Sequence, residues 1–167
     1  MKIHKITTPL TKNDIKEFEI YDKVLISGVI YMARDAAHKR MVATLDNGED
    51  LPFDIKDQVI YYAGPCPAKP GNVIGSCGPT TSCRMDAYAP RLLDLGLTGM
   101  IGKGERNDEV VQSVKNNGCV YLGATGGAGA LLSKCIMSQE IIAYEDLGAE
   151  ALRKLYVKDF PVTVLLK

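Results

Sequence analysis

The chain has 167 residues, 46% of them hydrophobic and 24% charged; this is long enough for one ordinary core and near the globular average, which excludes a disordered or fibrous chain. Twenty basic residues balance twenty acidic ones, so the broad positive surface of a nucleic-acid binder is not expected, and any bound anion is held by a few placed cations. Five cysteines (Cys66, Cys77, Cys83, Cys119 and Cys135) include no C-x-x-C pair, which argues for reduced, packed thiols and against a disulfide framework or a zinc ribbon.

In chain order, the first twenty residues scatter Lys and Asp/Glu without a central apolar run, so no secretory signal is expected there. The longest apolar stretch, VLISGVIYMA at 24–33, falls well short of the roughly 20 residues that cross a bilayer. A cytoplasmic protein with no membrane segment is the expectation. Residues 24–32 are β-rich and uninterrupted, the pattern of a strand buried on both faces, and a helix is predicted from Asp35 to about Leu45, before the Asn47-Gly48 turn. Arg34 therefore stands at a strand-to-helix junction. Residues 58–65 read as a strand ended by Gly64-Pro65, and 66–79 as a proline- and glycine-rich connector that reaches toward a cleft.

Leucine spacing predicts a helix over 89–97, and a short strand follows at 98–102. A helix over 107–118 is capped by Asn107 or Asp108, with Asp108 and Glu109 suited to its first turn and Gly118 to its end. Residues 119–134 read as strand, glycine-rich turn and helix start, and 158–167 end in one more strand. Strands alternating with helices predict one α/β domain over 1–167 with at least part of its sheet parallel, and ligand sites at the junctions that follow strands.

Several motifs invite chemistry. The turn GATGGAG at 123–129 lacks the Gly-Lys-Ser/Thr of a phosphate loop, and GKGERN at 102–107 begins as G-x-G but has Asn at the third glycine, so no nucleotide cofactor is expected. Arg34 directly follows an apolar strand, where an unpaired guanidinium is costly; its anionic partner is either a ligand or an internal carboxylate, Asp35 or Asp86. Arg84 has the same two readings, with Asp86 as the internal alternative. Lys103, flanked by glycines, is either a ligand contact or a solvated turn residue. His4 reads as solvated, and His38 as a packed or surface residue. No Ser-His-Asp set is visible, and two histidines cannot make a histidine-rich metal site. The stretch GPTTSCRMDAYAP at 78–90 presents three hydroxyls and a thiol just ahead of Arg84, which raises the idea of a self-contained nucleophile.

Taken together, ARDAAHKR (33–40), IYYAGP (60–65), GPTTSCRMD (78–86), GKGER (102–106) and YLGATGGAGALLSK (121–134) resemble the β subunit, or C-terminal domain, of class I fumarate hydratase and the similar β subunit of L(+)-tartrate dehydratase. The resemblance covers nearly the whole chain. It implies a swivelling β/β/α domain with a mixed, partly parallel sheet. It also implies a hydro-lyase that reversibly hydrates fumarate to malate at a site shared with an α subunit, which would hold a [4Fe-4S] cluster on three cysteines with one iron open to substrate.

By this resemblance Arg34, Arg84 and Lys103 bind the carboxylates of a small dicarboxylate, and Thr80 is the catalytic hydroxyl at the reacting carbons. Thr81, Ser82 and Cys83 then cap and pack a helix that begins there. None of the five cysteines stands at a cluster-ligand position, so this chain is expected to bind no metal, to be inactive alone, and to occur as a homodimer or within an α2β2 assembly. Tartrate dehydration and a non-catalytic anion-binding or regulatory role are the alternatives. Cys83 departs from the glycine or other small residue expected at its position.

Overall fold

The apolar run near residue 24 becomes the central strand of a mixed sheet in the computed structural model, which describes residues 1–124 and 129–167. The elements are β1 (Ile3–Thr7), α1 (Lys12–Lys16), β2 (Lys23–Met32), α2 (Asp35–Asp46), β3 (Val59–Tyr61), a 3-10 turn (Ser82–Met85), α3 (Ala89–Asp94), β4 (Gly99–Gly102), α4 (Asp108–Asn117), β5 (Val120–Ala124), α5 (Gly129–Ser133), β6 (Ile136–Ala143), a second 3-10 turn (Glu145–Glu150) and β7 (Leu152–Leu166). Most of the glycine-rich turn anticipated at 123–129 lies outside the described residues. Among the described residues no helix is long and apolar enough to cross a membrane.

The sheet order is β1-β2-β3-β4-β5-β7-β6, with β2 also pairing β7. The pairings β1–β2, β2–β3, β3–β4 and β4–β5 are parallel. Those of β7 with β2, β5 and β6 are antiparallel. The ladder therefore returns on itself through β2, β3, β4, β5 and β7. Alternating side chains divide between two cores, as the period of a strand requires. Ile30, Met32, Tyr61, Ile101, Leu122, Val157 and Phe160 form one, with Ile15 and Leu132. Tyr31, Ile60, Met100 and Tyr121 face the other, which is covered by Ala37 and Met41 of α2, Leu92 of α3 and Val110 and Val114 of α4.

Several expectations need correction. β2 is not buried on both faces throughout: its first half alternates, and only its last three residues are all buried. β3 ends at Tyr61 rather than residue 65: Tyr62 N still donates to Ile101 O of β4 at 2.8 Å, but Ala63 N then turns back to Tyr61 O at 3.0 Å. β7 begins at Leu152, well before residue 158. β1, α1 and the exposed edge strand β6 were not anticipated. The helix over 107–118 stands, with Asn107 as the cap accepting from Val110 N at 2.9 Å and Gly118 ending it in the left-handed region at φ 66°. His4 is not solvated but sits 2.7 Å from Asp22 Oδ2 and packs on Phe18.

His38 is fully buried. Its Nδ1 lies 2.9 Å from Arg34 O, and since a carbonyl only accepts, Nδ1 carries the proton. Nε2 is buried without a partner among the described residues, so a second proton would be an unpaired buried donor. Burial accordingly pushes the imidazole pKa down to about 4 from 6.5, against the pull of the Arg34 carbonyl.

Two outcomes follow from these cores. Phe160, fully buried and edge-on to Tyr61 at 5.1 Å between ring centroids, fills the space enclosed by the strands; Phe160→Ala should cost about 3–5 kcal/mol in urea unfolding. The unfolded chain protonates His38 near 6.5 and the folded one near 4, so stability is lost as pH falls through that window, by about 3 kcal/mol at its lower end. Urea midpoints at pH 7 and pH 4 should differ less in His38→Gln than in the wild type, and an unchanged difference would remove His38 as the cause.

Candidate functional site

Three neighbouring parallel strands end side by side, and the chain leaves two of them with a cation. Arg34 follows β2 and occupies the cap position of α2, and Lys103 follows β4 directly. Residues 80–82 lie against the strand ends. Thr80 N donates to Tyr62 O at 2.7 Å, just beyond β3, and Ser82 N donates to Lys103 O at 2.9 Å. Thr81 pairs with Lys103 as an isolated parallel bridge. The chain then turns into Ser82–Met85, which carries Arg84. Arg34, Thr80, Arg84 and Lys103 are thus brought to the carboxyl-terminal edge of the parallel strands, where ligands of open α/β sheets collect.

Local packing explains the close approach. A Cβ on Gly102 would overlap Ser82 Oγ and meet the Tyr62 ring at 2.9 Å, so a larger residue there would expel the segment that bears Thr80. Ser82 is fully buried, 2.8 Å from the Tyr121 hydroxyl, which also lies 2.7 Å from Gly104 O. The carbonyl takes the single phenol proton, so Ser82 donates to the phenol oxygen.

Beneath this layer Arg106 Nε donates to Asp86 Oδ1 at 2.6 Å, and the other Asp86 oxygen accepts from Asn107 N at 2.8 Å. Arg106 Nη2 donates to Tyr62 Oη at 3.2 Å, and its guanidinium lies 5.2 Å and 4.8 Å from the Tyr62 and Tyr121 ring centroids. With the Arg106 side chain 1% exposed, an enclosed charge of this kind persists only because its partners replace water. The pair joins the end of the 3-10 turn to the loop after Lys103. Asp86 is therefore committed to Arg106 and is not the partner of Arg34 or Arg84.

Those two arginines meet other carboxylates. Arg84 Nε lies 2.7 Å from Asp35 Oδ2, while Arg34 Nε lies 3.3 Å from Glu150 Oε1 and 3.7 Å from Asp35 Oδ1. Glu150 Oε1 also accepts from Ala36 N at 3.2 Å. Lys103 is exposed and has no ion-pair partner among the described residues. The cluster sets Arg34, Arg84 and Lys103 against Asp35 and Glu150, an excess of positive charge on an open surface. Such a surface attracts anions, and guanidinium forks are suited in geometry to carboxylates. Thr80 is half-buried beside it.

The anticipated capping role of the neighbouring residues is not what is found. Thr81 occupies the cap position but makes no side-chain capping bond, and only Ser82 packs inward. Cys66 and Cys83 are exposed, contrary to the expectation of packed thiols, whereas Cys77 and Cys119 are buried, and burial pushes both of their pKa values up to about 11. Among the described residues no group of three or more His, Cys, Asp or Glu side chains is placed to hold a metal ion, so these residues do not fit an iron-sulfur cluster. Sequence reasoning missed Arg106 and Glu150. Glu150 gave no signal, since it stands 114 positions from the Ala36 amide it binds. A separate cavity of about 510 Å³ lies between the 66–76 connector and α5, lined by Cys66, Lys69, Ile74, Ser133 and Lys134 among others, and none of the four anticipated site residues borders it.

The sequence model of a family described as Fumarase C-terminus matches residues 1–167. The aerobic class I fumarate hydratase of Escherichia coli (strain K12) is 40% identical over 154 residues, which cover 91% of this chain and 28% of that protein. Fumarate hydratase 2 of Leishmania major is 36% identical over 157 residues, covering 93% and 28%. A putative L(+)-tartrate dehydratase subunit beta of Methanocaldococcus jannaschii is 37% identical over 156 residues, covering 90% of this chain and 80% of that one. The chain thus spans just over a quarter of the length of the fumarate hydratases it matches. With the match running from the first residue to the last, this chain belongs to the fumarase C-terminus family.

Proposed function

We propose that residues 1–167 act as one domain that supplies the carboxylate-binding half of a hydro-lyase site, adding water reversibly to fumarate to give malate. The observation that carries this reading is the convergence of Arg34, Arg84 and Lys103 with Thr80 at one edge of the parallel strands. In the hydration a C–O bond forms at one carbon of the double bond and a C–H bond at its neighbour. In the reverse direction the proton leaves a carbon adjacent to a carboxylate, and charge accumulates on that carboxylate. Arg34, Arg84 and Lys103 hold the two carboxylates and stabilise that extra charge, which is where placed cations gain most. Thr80 hydrogen-bonds substrate near the reacting carbons.

The iron-sulfur cluster implied by the family resemblance finds no ligand set among the described residues; on this reading it belongs to a partner subunit, and this chain contributes binding and orientation. The open placement of the cations suits a surface that becomes a site when a second protein covers it, with this domain swivelling over the partner as a lid. A second reading, dehydration of tartrate to oxaloacetate, is favoured by the match to a relative itself named a tartrate dehydratase subunit beta. The two substrates share the carboxylates that the cations would hold and differ at a hydroxyl.

Anaerobic co-expression with candidate cluster-bearing subunits, then assay against fumarate, malate and both tartrate enantiomers, tests both readings. Turnover is expected only from the assembly, and hydratase activity with bound iron in the purified single chain would contradict it. In the active assembly Arg84→Lys should lower kcat/KM by at least about tenfold, because an ammonium cannot replace a bidentate fork. Wild-type kinetics in that variant would remove Arg84 from the site.

A further inference from the structure

We propose that Asp35 is a positioning residue that fixes the separation and facing of the Arg34 and Arg84 guanidinium groups, with Glu150 holding Arg34 from the opposite side. The arginine pair then selects dicarboxylates by the distance between their two carboxylates. This rests on the reading of both arginines as carboxylate binders.

Three elements remote in sequence meet here: the first turn of α2 brings Asp35, the turn Ser82–Met85 brings Arg84, and the turn Glu145–Glu150 brings Glu150. One carboxylate spans both arginines, with Oδ2 at 2.7 Å from Arg84 Nε and Oδ1 at 3.7 Å from Arg34 Nε. The closest approach to each guanidinium is at Nε, on the side facing its own stem. No hydrogen bond from a terminal nitrogen of either arginine is found among the described residues, so both outer edges remain for a ligand. A carboxylate binds those edges in bidentate fashion.

The Arg34 stem is confined as well. A Cβ on Gly64 would lie 3.1 Å from Arg34 Cδ and 2.9 Å from Ala149 O, so the stem runs along a slot bounded by Gly64 that a larger residue at that position would narrow. Arg34 Nε and Asp35 Oδ1 are buried, face each other beyond hydrogen-bond distance and have no hydrogen-bond partner among the described residues. Arg34 Nε lies 3.3 Å from Glu150 Oε1 and 3.7 Å from Asp35 Oδ1, so charge attraction from both carboxylates orients it. Glu150 is itself anchored on the Ala36 amide at 3.2 Å, which ties the second turn to the start of α2.

A simpler role for Asp35 is that of an acidic residue in the first turn of a helix, favourable to the dipole and unrelated to ligand. The two roles predict different outcomes. Asp35→Asn makes the cluster more positive, so a bystander carboxylate predicts that every anion binds more tightly with unchanged ranking. A positioning carboxylate predicts loss of discrimination.

The test uses Asp35→Asn and Glu150→Gln with two readouts. In the purified chain, nitrogen-15 NMR of the arginine Nε–H groups should show Arg34 and Arg84 shifted and slowly exchanging. Asp35→Asn should return both signals toward free arginine, and Glu150→Gln that of Arg34 alone. In the active assembly, inhibition constants for malonate, succinate and glutarate should differ in the wild type, and Asp35→Asn should compress their ratios by at least about fivefold. Unaltered NMR signals, or uniform tightening of all three inhibitors with their ranking kept, would overturn the proposal. Wild-type assemblies that turn over none of the assayed substrates would instead count against the hydro-lyase reading, and the NMR comparison, which needs no activity, would still decide the role of Asp35.

Discussion

Two backbone hydrogen bonds, Thr80 to Tyr62 and Ser82 to Lys103, hold the segment 80–82 against the ends of β3 and β4. Together with the Asp86–Arg106 pair, they fix the turn that carries Arg84 relative to the strand ends beyond which Arg34 and Lys103 stand. Gly102 permits this approach, and the Ser82–Tyr121 hydroxyl contact secures it from below. A loop that would otherwise be free is thereby placed with the accuracy of a sheet, which is what a site assembled from separate strand ends needs.

Beneath that seam the charges are arranged by depth. Arg106 and Asp86 form a buried pair with further hydrogen bonds to Tyr62 and Asn107, and their burial keeps both from a ligand. Nearer the surface, Arg34, Arg84 and Lys103 are only partly matched by Asp35 and Glu150. A fully paired layer supports structure, whereas an incompletely paired one retains attraction for an anion. A neutral, buried His38 lies beside Tyr62 and adds no charge to either layer near neutral pH.

The strongly patterned parts of the fold were legible in the sequence. The helices after Arg34 and Asn107 follow from apolar periodicity and from a capping side chain or a terminal glycine, and strands 24–32 and 98–102 from uninterrupted apolar runs. β6 was not legible because most of its residues are exposed or half-buried and show no alternation. The first half of β7 was hidden by Arg153, Lys154 and the irregular burial of its neighbours. At the site, Arg34 and Lys103 stood out as cations after strands and Asp35 as one of two candidate partners of Arg34, which it approaches, but the partner of Arg84 was not legible. Asp86, close to Arg84 in sequence, is taken by Arg106, while Asp35 reaches Arg84 across the fold. Nearness along the chain is a poor guide to which carboxylate a flexible arginine meets.

On the function proposed above, this edge of the sheet holds both carboxylates of a substrate while a partner protein completes the site. A crystal structure of the assembled enzyme with malate bound tests it most directly. The Arg34 and Arg84 guanidinium groups are expected on the substrate carboxylates, with Lys103 Nζ within hydrogen-bond distance of one of them and Thr80 beside the reacting carbons. Malate held entirely by partner residues, with these four side chains turned to solvent, would contradict it.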